Sequence, residues 1–293
     1  LTKDDNPACV KRIHGDRKQP DQFRELLKNA QCDAVIDLIA FTPEDSETAV
    51  EVFNGNVRHF VHCSTDAVYG KLQSLPATED HPCAPDWDYG RNKLKCENVL
   101  MRAFRDKGFP VTIIRPPYIF GPRSYGLINC FGSNLRFVDR MLKGKPVIVA
   151  GDGKALMQPV YCEDLARGFV AALGKEEAIG RTYNMAGKTV VSINQYMRAI
   201  AGALGVEAEL VNIPAELLSA ANPKLFAAAG NDYWTHHHIF DSRRAAADLG
   251  YNPVVAMPDG IALEVDWVRE NAVIDESTMD DVDDKVIAAY RGI

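Results

Sequence analysis

Residues 33–41, DAVIDLIAF, form a nearly continuous apolar run with the length of one β-strand. Two similar runs follow, HFVHCS at residues 59–64 and VTIIRP at residues 111–116, and segments with helical spacing at residues 44–53 and 92–105 separate them. Strands that are apolar on both faces and alternate with helices are typical of a parallel sheet covered on both sides. The sequence therefore predicts an α/β fold that is doubly wound around a parallel sheet.

The flanking regions contain weaker patterns of the same two kinds. Residues 10–14 are β-prone and residues 20–27 are helical behind a proline, whereas residues 275–284, DESTMDDVDD, are acidic and predict a solvated connector. We expect the further helices at residues 135–142, 163–173, 193–204 and 285–290, and the further strands at residues 146–149 and 181–185. The second half thus adds elements to the sheet and forms a smaller lobe.

Charge and hydropathy limit the kinds of partner. The 293 residues carry a formal net charge of −7, so there is no net basic field to attract a nucleic acid. No apolar run approaches the roughly 18 residues that a membrane span needs. The seven cysteines are odd in number and lack C-x-x-C spacing, which indicates reduced thiols and a cytoplasmic location.

Tyr89 and Lys93 stand four residues apart in the segment YGRNK. On a helix, positions i and i+4 lie on one face, so the phenol and the ammonium can point into the same cleft. A cation beside a phenol favours the phenolate, and the tyrosine can then act as a general base. The spacing alone also fits a tyrosine packed at a helix start beside a surface lysine.

Ser64 and Thr65 follow the strand predicted at residues 59–64. Ligands of open α/β sheets bind at the carboxyl ends of the strands, where a hydroxyl can hydrogen-bond the oxygen of a substrate alcohol or carbonyl. Capping of the following loop is the structural alternative for both hydroxyls.

Three motifs together resemble one protein family. HCSTDAVYG at residues 62–70, YGRNK at residues 89–93 and RPPYIFGP at residues 115–122 occur in the order and spacing of the extended short-chain dehydrogenase/reductases, the NAD-dependent epimerase/dehydratase family. The resemblance implies a Rossmann-type doubly wound sheet with a smaller C-terminal substrate lobe. It places the cofactor part at residues 1–122 and about 159–187, and the substrate lobe at about 123–158 and 188–293.

The resemblance also implies roles for individual residues. Thr65 takes the place of the catalytic Ser/Thr, Tyr89 that of the acid/base, and Lys93 that of the residue that binds the nicotinamide ribose and tunes the tyrosine. The residues expected to bind NAD, with NADP as the alternative, are Asp16, Arg17, Leu38, Ile39, Ala40, Tyr89, Lys93, Pro116, Pro117 and Tyr118. The residues expected to bind substrate are Ser64, Asp66, Arg123 and Gln158. A turn aspartate is the alternative for Asp16.

Three departures from the family pattern matter. The glycine-rich loop that receives a pyrophosphate is absent, so we expect a βαβ unit of roughly 30 residues to precede this sequence. Ala67 stands where sugar 4,6-dehydratases carry a Glu after Asp66, which disfavours dehydration because Ala67 has no proton to exchange. The phosphate-clamping arginines expected around residues 154–160 and 231–241 are missing, although Arg123, Lys154 or the histidines can substitute.

The run of His236, His237 and His238 invites interpretation as a metal site. In an extended segment only His236 and His238 share a face, and no Cys or carboxylate stands at a recognisable ligand spacing. We therefore expect no metal, and a packing, surface or substrate-lining role instead.

The sequence thus predicts an NAD(P)-dependent sugar epimerase-type oxidoreductase, and we expect its substrate to be a nucleotide sugar. The predicted mechanism is proton transfer through Tyr89 with transient hydride transfer to the nicotinamide. A simple dehydrogenase or reductase of a small carbonyl or sugar would use the same triad. A non-catalytic RNA- or cofactor-binding protein of the same fold is the alternative from another class. Family members often dimerise through helices beside the active site, so we expect a homodimer that uses residues 92–105, with no nucleic acid or membrane partner.

Overall fold

The computed structural model describes residues 9–124, 126–132, 135–221, 231–271 and 280–292 of the chain. Its strands are β1 (Ala34–Asp37), β2 (His59–Cys63), β3 (Val111–Arg115), β4 (Ile119–Phe120), β5 (Val147–Ala150), β6 (Leu156–Met157), β7 (Val160–Tyr161), β8 (Thr182–Asn184), β9 (Val191–Ser192) and β10 (Leu210–Ile213). Its α-helices are α1 (Pro20–Leu27), α2 (Pro43–Phe53), α3 (Asp88–Lys107), α4 (Arg136–Leu142), α5 (Cys162–Ala172), α6 (Ile193–Leu204), α7 (Ala215–Ala221), α8 (Arg243–Leu249), α9 (Met257–Asn271) and α10 (Asp280–Arg291).

Four parallel strands form the main sheet in the order β1-β2-β3-β8. Alternate residues of β2 serve opposite faces, since Phe60 packs with α2 and α3 whereas Val61 packs with α5 and α8. Helices therefore cover both faces of the sheet. This arrangement confirms the doubly wound α/β fold, and every strand of the sheet lies within a segment predicted to be a strand.

A second and larger hydrophobic core lies in the C-terminal half. It is built on the parallel pair β5 and β10 and on helices α4, α6 and α9. Phe120 and Tyr161, from the parallel pair β4 and β7, belong to this core, so the chain passes from the sheet into the lobe at these short strands.

Helix α8 belongs by its packing to the sheet and not to the lobe. Ala245, Leu249 and Tyr251 share a cluster with Val61 and Ile114 of the sheet. The division expected from the sequence placed these residues in the C-terminal lobe, whereas their side chains pack against the main sheet.

The strand predicted at residues 10–14 is absent. The segment has no ladder hydrogen bonds, and Val10 and Ile13 are 50% and 46% exposed. A β-prone segment becomes a strand only when a neighbouring strand pairs with its backbone groups, and within the described residues β1 pairs only with β2.

The acidic segment is not a solvated connector where the structure describes it. Residues 275–279 lie outside the described residues, but helix α10 begins at Asp280, before the helix predicted at residues 285–290. Asp283 is 2% exposed and pairs with Arg136. The density of charges in a sequence does not show whether an oppositely charged side chain will pair with them in the fold. Here that side chain is Arg136 of α4, more than a hundred residues earlier in the chain.

No helix among the described residues has both the length and the hydrophobicity to span a membrane. All seven cysteines are free thiols.

Candidate active site

Helix α3 carries both Tyr89 and Lys93. The helix begins at Asp88 behind Trp87, four residues before the start predicted from apolar spacing, because polar residues occupy its first turn. Tyr89 is therefore its second residue, and Lys93 follows one turn later. The expected i, i+4 relation between the two side chains exists on this helix.

The ammonium of Lys93 is anchored at the carboxyl ends of two strands. It donates to the carbonyl of Ala40, 2.9 Å away, and to that of Cys63. The side chain is 1% exposed, and burial lowers its pKa from the ordinary lysine value. Since Ala40 follows β1 and Cys63 ends β2, Lys93 ties helix α3 to the edge of the sheet where Thr65 lies.

Thr65 begins a short 3-10 helix, Asp66–Val68, directly after β2. Its hydroxyl oxygen accepts from the backbone N–H of Ala67 at 3.2 Å, and its hydroxyl donates to Oδ1 of Asp66 at 3.1 Å. The capping role that was the structural alternative for Thr65 is therefore present. The second lone pair of the hydroxyl oxygen can still accept a hydrogen bond. The hydroxyl proton can be donated to a ligand oxygen only when it is released from Asp66.

Gly90 lets helix α3 approach this turn closely. A Cβ atom at Gly90 would lie 2.4 Å from the backbone oxygen of Ala67. The residue that follows Tyr89 thus contacts the turn that contains Thr65. The two segments that the sequence selected separately are neighbours.

Aromatic rings surround Tyr89 and connect it to Lys93. The ring of Tyr89 lies 5.2 Å from that of Trp87 and 6.4 Å from that of Phe41, centroid to centroid. The ammonium of Lys93 lies 5.6 Å from the Phe41 ring, within the range of a cation–π contact. Phe41 therefore borders both members of the pair.

A buried polar network lies behind Ser64, and sequence patterns did not indicate it. Ser64 donates to Glu97 Oε1 at 2.5 Å, and Arg115 binds both oxygens of Glu97 at 2.9 and 2.5 Å. Arg115 also donates to the hydroxyl of Tyr69 at 2.9 Å, and Tyr69 donates to Asn184 at 2.7 Å. The pairing with Glu97 raises the pKa of Arg115 despite its burial. The network links β2, α3, β3 and β8 rigidly beneath the site.

Asp66 meets a histidine from the far end of the chain. Asp66 is 7% exposed, and its Oδ2 lies 3.9 Å from Nδ1 of His238. Burial raises the pKa of Asp66 to about 7. The sequence indicated Asp66 by its place after Thr65, whereas His238 had no spacing signal toward it. Among the described residues, no three His, Cys, Asp or Glu side chains group as metal ligands.

Asp16 and Arg17 are held by local contacts in the segment before α1. The carboxylate of Asp16 accepts from the backbone N–H of Lys18 at 2.9 Å, the contact of a turn aspartate. Arg17 binds both oxygens of the buried Asp37 at 2.9 and 2.7 Å. Their roles toward a cofactor remain predictions.

The strand-end residues expected to line the cofactor differ in exposure. Leu38 and Ile39 are each 56% exposed, whereas Ala40 is fully buried beneath the ammonium of Lys93. Pro116 is buried, and its carbonyl accepts from the N–H of Asp66 at 2.9 Å. Pro116 and Ala40 therefore border the same edge as Thr65.

The other predicted residues lie toward the lobe. The hydroxyl of Tyr118 donates to the carbonyl of Gly126 at 2.8 Å inside the C-terminal core. Gln158 bridges the carbonyl of Gly187 at 2.9 Å and the N–H of Phe240 at 3.0 Å. Arg123 is exposed and adopts a left-handed φ of 62°. Of the residues expected to bind substrate, Ser64 and Asp66 are the neighbours of Thr65 in the chain. The side chain of Gln158 instead hydrogen-bonds two backbone groups.

Comparisons with known proteins point to a single family. Residues 1–186 match the NAD dependent epimerase/dehydratase family. The chloroplast stem-loop binding protein of 41 kDa b from Arabidopsis thaliana is 28% identical over 88% of this chain and 64% of its own length. A dTDP-glucose 4,6-dehydratase from Actinoplanes sp. is 29% identical over 74% of this chain and 62% of its own. The chain thus spans less than two thirds of these relatives.

A solved structure agrees with this result. The UDP-glucuronic acid 4-epimerase from Bacillus cereus, in complex with UDP-glucuronic acid and NAD, is 26% identical with a TM-score of 0.63, and the match covers 77% of this chain and 66% of that one. The family match extends over more than half of the chain and includes the strand end, the helix and the RPP segment described above. The chain belongs to the NAD-dependent epimerase/dehydratase family, the extended branch of the short-chain dehydrogenase/reductases.

Proposed function

We propose that the protein is an NAD-dependent, epimerase-type oxidoreductase that acts on a nucleotide sugar through Thr65, Tyr89 and Lys93. The observation that carries the proposal is the anchoring of Lys93 at the ends of β1 and β2. It brings the helix that holds Tyr89 to the strand end that holds Thr65. The related 4-epimerase, which was solved with a nucleotide sugar and NAD, supports the substrate class.

Each side chain has one task at the reacting oxygen. Tyr89 accepts the proton of the substrate hydroxyl and later returns it, which is general base and general acid work. Thr65 holds the same oxygen by a hydrogen bond. Lys93 supplies a fixed positive charge on the side of Tyr89, because two carbonyls and the ring of Phe41 hold its ammonium in place.

The strand ends fit a nicotinamide cofactor. Leu38 and Ile39 offer exposed apolar surface beside the buried Ala40 and Lys93. NAD, when bound, would supply the acceptor and donor of a hydride. Dinucleotides of this kind bind at the carboxyl ends of the strands in doubly wound sheets. We propose NAD over NADP because the matched family is described by NAD and the related 4-epimerase was solved with it.

Ala67 favours epimerisation over dehydration. Dehydration of a sugar needs an acid/base group at a second carbon, and the side chain of Ala67 cannot exchange a proton. Its backbone N–H is already bound to Thr65. Release of the ketone would make the protein a simple dehydrogenase, which uses the same three residues.

The test is turnover of nucleotide sugars. The protein is incubated with NAD and, in separate reactions, UDP-glucuronic acid, UDP-glucose and dTDP-glucose, and products are followed by NMR and by absorbance of reduced nicotinamide. We expect a new epimer from at least one substrate. Tyr89→Phe should lower kcat about 10²-fold or more, the usual contribution of a general acid/base group.

Tyr290→Phe is the matched control, since Tyr290 is 45% exposed on helix α10. It should turn over substrate at the wild-type rate. Unchanged turnover in Tyr89→Phe would contradict the mechanism, and accumulation of a dehydrated keto sugar would replace epimerase with dehydratase.

A stem-loop binding protein is the second candidate, because a relative with that name matches 88% of this chain. The net charge of −7 opposes it, since binding to a phosphate backbone relies on Lys and Arg. An RNA hairpin titrated into the protein at 150 mM salt distinguishes the two. Tight hairpin binding without turnover of any sugar would favour this candidate.

A further inference from the structure

The carboxyl of Asp66 is only half satisfied. Its Oδ1 accepts from the hydroxyl of Thr65 at 3.1 Å, whereas its Oδ2 is buried and has no hydrogen-bond partner. A buried carboxylate oxygen without a partner costs free energy, so a neighbouring donor or a bound proton is expected there. A titratable group close to Oδ2 therefore affects how Asp66 is ionised.

That group is the imidazole of His238. The ring is 8% exposed and lies 28° from the plane of the Tyr233 ring, at 4.4 Å between centroids. The backbone N–H of His238 donates to the carbonyl of Leu156 at 2.6 Å. Stacking and this bond hold Nδ1 at 3.9 Å from Oδ2 of Asp66, close enough for an ion pair.

The surroundings contain little other charge. From its own segment, Asp66 meets the hydroxyl of Thr65 and the N–H of Ala67. From the C-terminal segment, it faces His238 and the buried phenol of Tyr233, whose pKa rises well above the ordinary value through burial and then through the charge of Asp66. Among the described residues, His238 is the ion-pair partner of Asp66.

We propose that Asp66 and His238 form a carboxyl–imidazole pair that sets the direction of the Thr65 hydroxyl, with both acting as positioning residues. The proposal rests on the function proposed above for Thr65. It assigns to His238 a role in the reaction that the sequence pattern of the histidine run does not show.

Asp66 can set the direction of the Thr65 hydroxyl because a hydroxyl has only one proton to donate. When Asp66 is ionised, it accepts the hydrogen bond that the Thr65 hydroxyl donates at 3.1 Å, and it competes with a substrate oxygen for that bond. When Asp66 takes up a proton, or when His238 is cationic and neutralises it, this competition weakens. Thr65 can then donate to the substrate oxygen. Burial, which raises the pKa of Asp66 to about 7, places this exchange near neutral pH.

The pair can be tested without turnover. Aspartate carboxyls are labelled with ¹³C in the full chain, and Asp66 is assigned as the NMR signal that disappears in Asp66→Asn. We expect a wild-type titration midpoint near 7. His238→Phe keeps a ring against Tyr233 and removes an imidazole that can carry a positive charge 3.9 Å from Oδ2, so the Asp66 midpoint should rise.

His238→Gln is a second variant that also removes the titratable imidazole, and it should move the Asp66 midpoint in the same direction. His237→Gln is the matched control, because His237 is exposed and its ring accepts from the N–H of Leu156. It should leave the Asp66 midpoint unchanged. An Asp66 midpoint that stays at the wild-type pH in both His238 variants would overturn the proposal.

Kinetics separate this proposal from the proposed function. The pH profile of kcat should contain a step at the Asp66 midpoint, which moves upward with that midpoint in His238→Phe and vanishes in Asp66→Asn, while KM stays within about threefold of wild type. If Tyr89→Phe is inactive but the step in the kcat profile of His238→Phe stays at its wild-type pH, the positioning role fails and the proposed function stands. If Tyr89→Phe is fully active, the function fails whatever the Asp66 titration shows.

Discussion

Glu264 shows how a single buried carboxyl joins helix α9 to the segment that follows β4. It lies on α9, is fully buried, and accepts from the N–H of Gly121 at 3.1 Å and from the hydroxyl of Ser124 at 3.3 Å. Burial raises its pKa from 4.5 to about 7, against the opposing effect of these two bonds. Glu264 and Asp66 are therefore two carboxyls that the folded chain holds protonated to nearly neutral pH.

The raised pKa values of these carboxyls predict that their contribution to the free energy of unfolding falls as pH rises. Between about pH 4.5 and 7 the folded chain keeps the proton of Glu264 and the unfolded chain does not, so the free energy of unfolding decreases through this window and levels off above it. Glu264→Gln should remove part of this decrease, on the order of 2 kcal/mol. Urea denaturation at pH 5 and pH 7.5 measures the difference.

Glu25→Gln is the control, because that side chain is 70% exposed. It should keep the wild-type difference between the two pH values. If Glu264→Gln also keeps the wild-type difference in the free energy of unfolding between pH 5 and pH 7.5, then Glu264 does not retain its proton in the folded chain.

At the scale of elements, the site depends on how closely helix α3 meets the turn after β2. Gly90 permits an approach that a Cβ atom would block, since the atom would lie 2.4 Å from the backbone oxygen of Ala67. The network of Ser64, Glu97 and Arg115 holds the same helix to β2 and β3 from below. Backbone packing therefore sets the distance between the side chains proposed to react.

Gly90→Ala should impair catalysis more than folding. The helix must move away from the turn, which separates Tyr89 from Thr65, and a displacement of about 1 Å can cost on the order of 10²-fold in rate. Steady-state kinetics and the Tm of the same variant measure the two effects.

Gly202→Ala is the matched substitution on helix α6, where an added Cβ meets nothing within 4 Å. It should leave kcat/KM unchanged and stabilise the helix by up to about 1 kcal/mol. Equal activity of the two glycine variants would refute the argument from close approach.

At the scale of the whole molecule, the last described helix closes the C-terminal lobe. Asp283 of α10 binds Arg136 of α4 at 3.2 Å through two bonds and lies 3.8 Å from Arg140, which is fully buried. Arg140 also binds Asp284 at 2.6 Å. Two guanidinium groups of α4 thus depend on carboxylates supplied more than 140 residues later.

Asp283→Asn should destabilise the chain by about 3 kcal/mol, because it removes the carboxylate that two buried guanidinium groups share. Urea denaturation at pH 7 measures the loss. Glu209→Gln breaks the exposed pair with Arg291 and should cost less than about 1 kcal/mol. A loss in Asp283→Asn no larger than in Glu209→Gln would mean that the buried pair contributes little.

The parts that were predictable share a local cause. Apolar runs and helical spacing predicted β1, β2, β3 and the helices between them, because each of these elements buries its own apolar side chains. The strand predicted at residues 10–14 was wrong, because a strand also needs a neighbour that pairs with its backbone, and none of the described residues pairs with this segment.

For the candidate site, the sequence selected Thr65, Tyr89 and Lys93 through short local motifs and their resemblance to one family, and the roles of these residues stay predictions. Only the tertiary structure decided what surrounds them. The pairing of Asp66 with His238, of Ser64 with Glu97 and Arg115, and of Asp283 with α4 joins residues far apart in the chain. Such contacts depend on three-dimensional packing and burial, and neither hydropathy nor spacing along a sequence records which distant side chains the fold brings together.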